Sequence, residues 1–195
     1  ADVGRLSKGY VRRLLALFSE LKFFWGQSRA WNKGKVSQAI SQSGSILFLC
    51  YGNINRSALA DAMVRGYAED SGISVTSAGF HWESGRPADP VMVEVAGQFG
   101  VDMRTVRSTC VSEQQLHDSD IIFVMEKAHY DRLLAVDASI AEKVYLLGAH
   151  RNGAGWGAEI ADPYGRNRSS YLHCYDRIAE AVDNIKAVIV ERSND

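Results

Sequence analysis

One short segment, FLCYGNINRSAL at residues 48–59, constrains the fold more than any other part of the chain. An apolar run ends at Cys50, and a helix-like pattern begins near Arg56, with mostly small and polar residues between them. A buried strand that turns at once into a helix is typical of α/β folds, in which strand ends gather functional side chains at one edge of a parallel sheet. The segment therefore predicts a loop at the carboxyl end of the first strand, with Cys50 at its start.

Short apolar runs alternate with amphipathic stretches from residue 45 onward. The predicted strands are 45–49, 73–77, 121–125 and 144–147. The predicted helices are 58–70, 90–99, one through Leu133 and Leu134, and a long closing helix at 170–190. Strands that alternate with helices predict an α/β fold with a four-stranded parallel sheet flanked by helices on both faces.

The charge of the chain divides it into two parts. Residues 1–45 contain 8 Lys and Arg against 2 Asp and Glu, which gives +6, and the remainder contains 14 against 21, which gives −7. Such an asymmetry predicts two units with different roles. We place the boundary between residues 1–44 and residues 45–195.

The N-terminal unit contains GYVRRLLALFSELKFFW at residues 9–25, a pattern typical of a basic amphipathic helix. Its apolar positions on one helical face are Val11, Leu14, Leu15, Phe18, Leu21 and Trp25. We expect this face to dock on the acidic remainder of the chain or on a second copy, while peripheral contact with an anionic membrane stays open as the alternative. Residues 26–45 are rich in Gly, Ser, Gln and Lys and are predicted to form a linker or loosely ordered arm.

Composition excludes several classes of protein. Three cysteines without a C-x-x-C pair argue against a disulfide framework and favour a reducing, cytoplasmic compartment. The sequence contains no run of about 18 uncharged apolar residues, so no transmembrane helix is predicted. No signal peptide is predicted either. Five histidines lack the spacing of metal ligands, so no metal or other cofactor is expected. A net charge of −1 gives no reason to expect a nucleic-acid partner.

The residues between Cys50 and Arg56 suit a loop that wraps an anion. Successive backbone N–H groups ahead of a helix can surround a phosphate, and Gly52 and Asn53 tolerate the positive φ that a tight loop requires. Arg56 offers a planar fork of donors, and the positive surroundings favour a thiolate at Cys50, with Ser57 donating to the sulfur. The pattern predicts a nucleophile aimed at phosphorus. Taken alone, it leaves open that Cys50 is only a buried apolar residue.

The segment CYGNINRS at 50–57 resembles the C-x-G-N-x-C-R-S signature of low-molecular-weight protein tyrosine phosphatases. Further segments follow in the family's order, namely SAGF at 77–80 with GRP at 85–87, DSDIIFVMEKAHYDRL at 118–133, and IADPYG at 160–165. The resemblance runs from about residue 45 to 190. It implies that residues 45–195 are a bacterial-type phosphatase domain with a phosphate-binding loop after the first strand, and that residues 1–44 are an extension outside the family core.

The resemblance also implies roles for individual residues. Cys50 matches the nucleophile, Arg56 the phosphate-binding arginine, and Asp162 the general acid that protonates the leaving phenolate. The residues implied to bind substrate are Tyr51, Gly52, Asn53, Ile54, Asn55, Ser57, Trp82 and Tyr164, of which Trp82 and Tyr164 would form aromatic walls. Ser77 is implied to support the loop. The implied reaction is hydrolysis of phosphotyrosine in a protein through a cysteinyl-phosphate intermediate, and the substrate would be a bacterial tyrosine kinase or a host protein.

Departures from the family pattern leave alternatives open. Asn55 stands where many members have a second cysteine, so a protective disulfide with Cys50 is not expected there. Arginine phosphatases of this fold carry a threonine at the position of Ile54, and an isoleucine favours a flat aromatic ring instead. A protein arginine phosphatase and a phosphotyrosine-binding regulator remain the alternatives. Arsenate reductase is disfavoured because Cys110 and Cys174 are far apart in the sequence.

Overall fold

The computed structural model describes residues 3–150 and 156–193, and the side chains of residues 9–150 and 157–192. Its strands are β1 (Ser45–Cys50), β2 (Ser74–Gly79), β3 (Ile121–Val124) and β4 (Val144–Leu146). All pairings are parallel and the strand order is β2-β1-β3-β4. The four-stranded parallel sheet predicted from the sequence is confirmed, and its strand bounds differ from the prediction by one or two residues.

The helices cover both faces of the sheet. They are α1 (Val3–Asn32), α2 (Lys35–Gln42), α3 (Arg56–Asp70), α4 (Pro90–Gln98), α5 (Glu113–Asp118), α6 (Lys127–Val136) and α7 (Arg168–Ser193). Short 3₁₀ turns occupy Ala138–Lys143, Leu147–His150 and Trp156–Ala158. The sequence did not predict α5, although Ser112 and Gln115 form a capping box at its start. Within the described part of the chain, no helix combines the length and apolar character needed to cross a membrane.

The central strands are apolar on both sides because helices cover both faces. Every residue of β3 and all but the first of β1 are buried. The register aligns Phe48 with Phe123 and Phe123 with Tyr145, so their rings share one face of the sheet. Trp31 of α1 stacks on Phe123 with ring centroids 5.8 Å apart. The N-terminal helix therefore contributes directly to the core of the sheet.

The prediction of a linker or loosely ordered arm at residues 26–45 is wrong. α1 continues to Asn32 and α2 follows after a short turn, with Val36 and Ile40 fully buried. These two residues are four positions apart, so they fall on the same helical face and pack toward α7. Arg192 near the end of α7 donates a hydrogen bond to the carbonyl of Ser43. The burial of two apolar residues at helical spacing therefore stabilises a helix here, although most residues of the segment are polar.

The second half of α1 docks on the edge strand β4. Trp31 is buried there, and Phe24 is buried further toward the N-terminus of the helix. Trp31 Nε1 donates to the carbonyl of Leu146 at 3.1 Å, and the Leu146 N–H donates to Gln27 Oε1 at 2.8 Å. An edge strand leaves backbone groups without strand partners, and such edges invite unwanted pairing. The extension therefore covers part of the open edge of the sheet.

The docking face of α1 is not the face predicted from the sequence. We name the predicted face the outer stripe, defined as Val11, Leu14, Leu15, Phe18, Leu21 and Trp25. Its side chains are 37% to 66% exposed, so the prediction that this face would be buried on the remainder of the chain is wrong. The aromatic residues Phe24 and Trp31 lie on a different side of the helix and are buried, with Trp31 stacked on Phe123.

Candidate active site

Cys50 is the last residue of β1 and opens the loop that leads into α3. Its side chain is buried, and its sulfur lies 3.0 Å from Ser57 Oγ. The backbone N–H of Asn53 donates to the same sulfur at 3.2 Å. The end of β1 therefore places the sulfur in contact with a backbone donor and a hydroxyl at the mouth of the loop.

Asn53 holds the shape of the loop. It is the one residue other than glycine with positive φ in the described chain, at 51°. Its Nδ2 donates to Ser57 Oγ at 2.9 Å, and its Oδ1 accepts from the Thr109 N–H at 2.8 Å. The prediction of positive φ is confirmed for Asn53 and wrong for Gly52, whose φ is not positive. Gly52 instead presents its carbonyl, which accepts from Arg86 at 2.6 Å.

The loop lies directly against the end of β2. A Cβ atom placed on Gly79 would come within 2.8 Å of the Tyr51 carbonyl oxygen and 2.9 Å of the Asn53 nitrogen. Both contacts are with backbone atoms that cannot move aside cheaply. Glycine at position 79 is therefore what lets β2 and the loop pack this closely.

Arg56 begins α3 and is almost completely buried, with 1% exposure. Its Nη1 donates to Glu126 Oε2 at 2.8 Å and to the Ile160 carbonyl at 2.9 Å. Its Nη2 donates to Asp162 Oδ2 at 2.5 Å. Its Nε is buried and has no hydrogen-bond partner among the described residues. One guanidinium thus joins α3, the end of β3 and the segment that carries Asp162.

The surroundings of Arg56 keep it charged. Burial acts to lower the pKa of Arg56, because a charge is costly away from water. The neighbouring Cys50, Asp162 and Glu126 outweigh burial and raise the pKa above its ordinary value. A permanent positive charge therefore lies beside the loop that contains the sulfur.

A cavity of about 240 Å³ opens above Cys50. Its lining residues are Cys50, Tyr51, Gly52, Ile54, Asn55, His81, Arg86, Asp162 and Tyr164. Asp162 and Tyr164 come from the turn before α7, and the Tyr164 N–H donates to Asp162 Oδ1 at 3.2 Å. The sulfur, the loop and the carboxylate of Asp162 therefore meet in one cavity, although they are more than 100 residues apart in the chain.

Two predicted site residues lie elsewhere. Trp82 is 81% exposed and does not line the cavity; it stacks on His81 with ring centroids 5.6 Å apart. His81 occupies the wall that the sequence assigned to Trp82. The hydroxyl of Ser77 donates to Asp61 Oδ2 at 2.9 Å instead of bonding to the loop. Ser77 therefore faces α3, while the next residue of β2, Ala78, accepts a hydrogen bond from Ser57 Oγ at 3.3 Å through its carbonyl.

Asn55 is buried at the base of the cavity wall. Its Nδ2 lies 3.5 Å from Asp89 Oδ2, and the Tyr171 hydroxyl donates to the same carboxylate oxygen at 2.9 Å. Its Oδ1 has no partner among the described residues. Position 55, where many family members have a second cysteine, therefore holds an asparagine whose side chain contacts Asp89 at the start of α4. Through Asp89 it is also linked to Tyr171 of α7.

Several residues around the cavity were not predicted from the sequence. His81 follows β2 by two residues, and Glu126 follows β3 by two residues. Both strands neighbour β1, and the carboxyl ends of parallel strands meet at one edge of the sheet. Their position after strand ends was the signal that could have identified them. Arg86 was named only as part of a motif, and its contact with Gly52 depends on a loop whose path the sequence does not reveal.

Several known proteins resemble this chain in sequence and in fold. The family model described as low molecular weight phosphotyrosine protein phosphatase matches residues 45–194. A probable low molecular weight protein-tyrosine-phosphatase EpsP of Ralstonia nicotianae is 32% identical over 139 residues, which cover 71% of this chain and 91% of EpsP. A protein-arginine-phosphatase of Bacillus subtilis is 26% identical over 137 residues, 69% of this chain and 89% of that protein. Vibrio vulnificus Wzb, solved in complex with benzylphosphonate, aligns with a TM-score of 0.65 and 29% identity over 74% of this chain and 98% of Wzb.

Proposed function

The chain belongs to the low molecular weight phosphotyrosine protein phosphatase family, and we propose that it hydrolyses phosphotyrosine in proteins through a cysteinyl-phosphate intermediate. The observation that supports this most is the position of the Cys50 sulfur. It lies in a cavity, receives the Asn53 N–H at 3.2 Å, and shares that cavity with the carboxylate of Asp162. A nucleophile, an anion-binding loop and an acid in one cavity are what phosphoryl transfer from a phenol requires.

In the proposed first step, the Cys50 thiolate attacks phosphorus while the bond between phosphorus and the tyrosine oxygen breaks. Asp162 gives its proton to the departing phenolate, so tyrosine leaves as a neutral phenol. Backbone N–H groups of the loop and the charge of Arg56 stabilise the phosphoryl oxygens. The enzyme is left with a bond between the Cys50 sulfur and phosphorus.

Arg56 and Asp162 form an ion pair at 2.5 Å, and this pair has to separate during the proposed step. A phosphate arriving in the loop offers Arg56 a replacement anion, and the buried Nε is a further donor for its oxygens. The second carboxylate, Glu126, would keep its bond to Nη1 and hold the guanidinium in place. Binding of substrate would thereby free the Asp162 carboxylate, which takes up a proton from solvent and can then act as the acid.

In the proposed second step, water attacks phosphorus and the bond to sulfur breaks. Asp162, now a carboxylate, accepts a proton from that water, and inorganic phosphate leaves. Ser57 Oγ lies 3.0 Å from the sulfur, and its hydroxyl can turn from the Ala78 carbonyl to donate a hydrogen bond to the thiolate that forms. A stabilised thiolate is a better leaving group, and the enzyme returns to its starting state. No metal takes part in this scheme.

The walls of the cavity favour an aromatic substrate. Ile54 offers an apolar contact, and Tyr51 and Tyr164 stand at the mouth with half or more of their surface exposed. A phosphotyrosine side chain is long enough to bring its phosphate to the loop while its ring lies between these residues. Phosphoserine is shorter and has no ring to fill the space. We expect peptides with phosphotyrosine to react far faster than the same peptides with phosphoserine or phosphothreonine, and comparable kcat/KM values for all three would contradict the proposal.

A second candidate function is hydrolysis of phosphoarginine, because the Bacillus subtilis protein-arginine-phosphatase is 26% identical to this chain. Ile54, which lines the cavity, should discriminate between phosphotyrosine and phosphoarginine. An isoleucine packs on a ring and leaves a guanidinium without a polar partner. The kcat/KM for a phosphotyrosine peptide should exceed that for a phosphoarginine peptide, and Ile54→Thr should narrow the ratio. A preference for phosphoarginine in the unaltered protein would favour the second function.

We further propose that residues 45–195 carry the chemistry and residues 1–44 are accessory. The residues around Cys50 all lie in the first of these units, and α1 contacts it through β4 on the far side of β3 from β1. A chain that begins at residue 45 should hydrolyse p-nitrophenyl phosphate and unfold at a lower temperature than the full chain. Loss of all turnover in a truncated protein that is still folded would contradict this division.

A further inference from the structure

Helix α1 carries two separate apolar faces. One contains Phe24 and Trp31, which are buried on the domain. The other is the outer stripe, whose side chains remain 37% to 66% exposed although the helix is docked. Its ends, Val11 and Trp25, are fourteen positions apart, so the stripe is about 20 Å long at about 1.5 Å per residue. Single exposed apolar residues are common on protein surfaces, but a continuous apolar stripe of this length marks an interaction surface.

The first half of the described helix stands clear of the rest of the molecule. Residues 9–19 are all exposed on every side of the helix. Packing on the domain begins only at Glu20 and Phe23, which are half-buried, and at Phe24. An isolated helix of this length is marginal in water without tertiary packing. This segment is therefore positioned to meet a surface outside its own domain.

The charge of α1 indicates which surface that is. The helix sequence contains six Arg and Lys and one acidic residue, Glu20, which is half-buried toward the domain. Lys22 and Arg29 are exposed and lie four positions after Phe18 and Trp25, so they flank the outer stripe. They pair with no carboxylate among the described residues. Unpaired cations beside an apolar stripe complement an anionic surface that also accepts apolar side chains.

We propose that the outer stripe is a docking surface for an anionic lipid bilayer. Phe18 and Leu21 would enter the boundary between headgroups and acyl chains, and Trp25 would lie at headgroup level, where its amphipathic ring is favoured. Lys22 and Arg29 would contact anionic headgroups, and each cation near such a surface strengthens binding about fivefold. The docked second half of α1 would hold the catalytic domain at the membrane.

A second copy of the chain fits the outer stripe less well. Two such stripes paired in parallel or antiparallel would bring the cations of one helix beside those of the other, because the only acidic residue of α1 faces the domain. Like charges held together in this way oppose association. An anionic lipid surface removes that conflict.

The test is sedimentation of the full chain with vesicles of phosphatidylcholine mixed with phosphatidylglycerol, and with vesicles of phosphatidylcholine alone. The variant Leu14→Gln with Phe18→Gln removes apolar surface from the stripe without changing charge. The variant Ala16→Gln with Ser19→Gln makes the same number of neutral changes at exposed positions of α1 outside the stripe. All three proteins are also assayed with p-nitrophenyl phosphate, because none of these residues belongs to the cavity.

The proposal predicts binding to the mixed vesicles that weakens as salt is added. It predicts at least about tenfold weaker binding for the Leu14 and Phe18 variant, since two apolar side chains no longer leave water. The Ala16 and Ser19 variant should bind within about twofold of the original protein, and turnover should be equal in all three.

Three results would overturn the proposal. The first is no binding to the mixed vesicles, and the second is equal binding to neutral and anionic vesicles. The third is a doubled mass in light scattering without lipid that disappears in the Leu14 and Phe18 variant, which would identify a second copy as the occupant. Turnover of p-nitrophenyl phosphate in the same samples reports on the proposed function separately.

Discussion

The loop from Cys50 to Ser57 and the helix α1 both lie at the margin of the sheet, but different forces hold them. The loop is held by polar contacts from separate elements, including Thr109 to Asn53 and Arg86 to Gly52. α1 is held along its second half by buried aromatic rings and two hydrogen bonds to Leu146. Polar contacts are directional and individually contribute little net stability, whereas burial of large rings contributes most of it. The loop should therefore control activity, and α1 should control stability.

Replacing the nucleophile should give the largest effect and the clearest separation of the two properties. Cys50→Ser should lower kcat by on the order of 10⁴-fold or more, because a serine hydroxyl lacks the reactivity of a thiolate. The unfolding midpoint should change little. Cys110→Ser is the matched control and should keep normal turnover, since Cys110 lies outside the cavity. Appreciable turnover by Cys50→Ser would contradict the covalent mechanism.

Replacing the proposed acid should give the next largest effect on activity. Asp162→Asn should lower kcat for a phosphotyrosine peptide by about 10²–10⁴-fold, the usual contribution of general acid catalysis. The loss should be smaller with p-nitrophenyl phosphate, because its phenolate leaves more easily without a proton. Steady-state kinetics with both substrates provide the comparison. Equal losses with both would exclude Asp162 as the acid.

The docked face of α1 should show the opposite pattern. Trp31→Ala should lower the free energy of unfolding by about 3–5 kcal/mol, because it removes a buried ring and a hydrogen bond to β4. Trp25→Ala changes the same residue type on the exposed side of the helix and should cost less than about 0.5 kcal/mol. Denaturant unfolding gives both values, and kcat of the folded variants should be unchanged. Similar losses for the two variants would mean that α1 is not held as described.

The free energy of unfolding should also depend on pH through His129, which lies near the cavity. Burial first, and then the positive charge of Arg56, lower the pKa of His129 to about 4. The unfolded chain takes up this proton near pH 6.5, whereas the folded protein takes it up only near 4. Unfolding is therefore favoured as pH falls from 6.5 to 4, by about 3 kcal/mol in total.

The matched control for this effect is His129→Phe, which removes the titrating group and can still stack on Phe80. Its unfolding free energy should fall less steeply than that of the original protein between pH 6.5 and 4. Identical slopes in the two proteins would show that His129 does not titrate in this range.

The loop could be predicted from the sequence because its residues are contiguous. Cys50, Asn53, Arg56 and Ser57 fall within eight positions, and their types suit one anion-binding turn. The remaining walls come from other loops, so their identity depends on the path of the backbone. The sequence pattern predicted that Trp82 forms one wall of the cavity, but its neighbour His81 lines the cavity instead. The partner of Ser77 depends on which side of β2 faces α3, and the motif did not contain that information.

The arrangement of α1 and α2 was harder to predict. Periodicity identified the outer stripe, but a helix can have two apolar sides, and periodicity does not determine which one meets the domain. The docked side was decided by the open edge of β4 and by the room for Trp31 beside Phe123. In α2, Val36 and Ile40 were hidden among polar residues that suggested a linker.

The most direct test of the central claim is to find the phosphoryl group on the enzyme. The full chain is mixed with a phosphotyrosine peptide, quenched in acid within the first turnover, digested, and examined by mass spectrometry. The account predicts one phosphoryl group on the peptide that contains Cys50, formed before tyrosine release reaches its steady rate, and absent in Cys50→Ser. Tyrosine release in a first-turnover burst with no phosphoryl group on Cys50, or with the group on another residue, would contradict it.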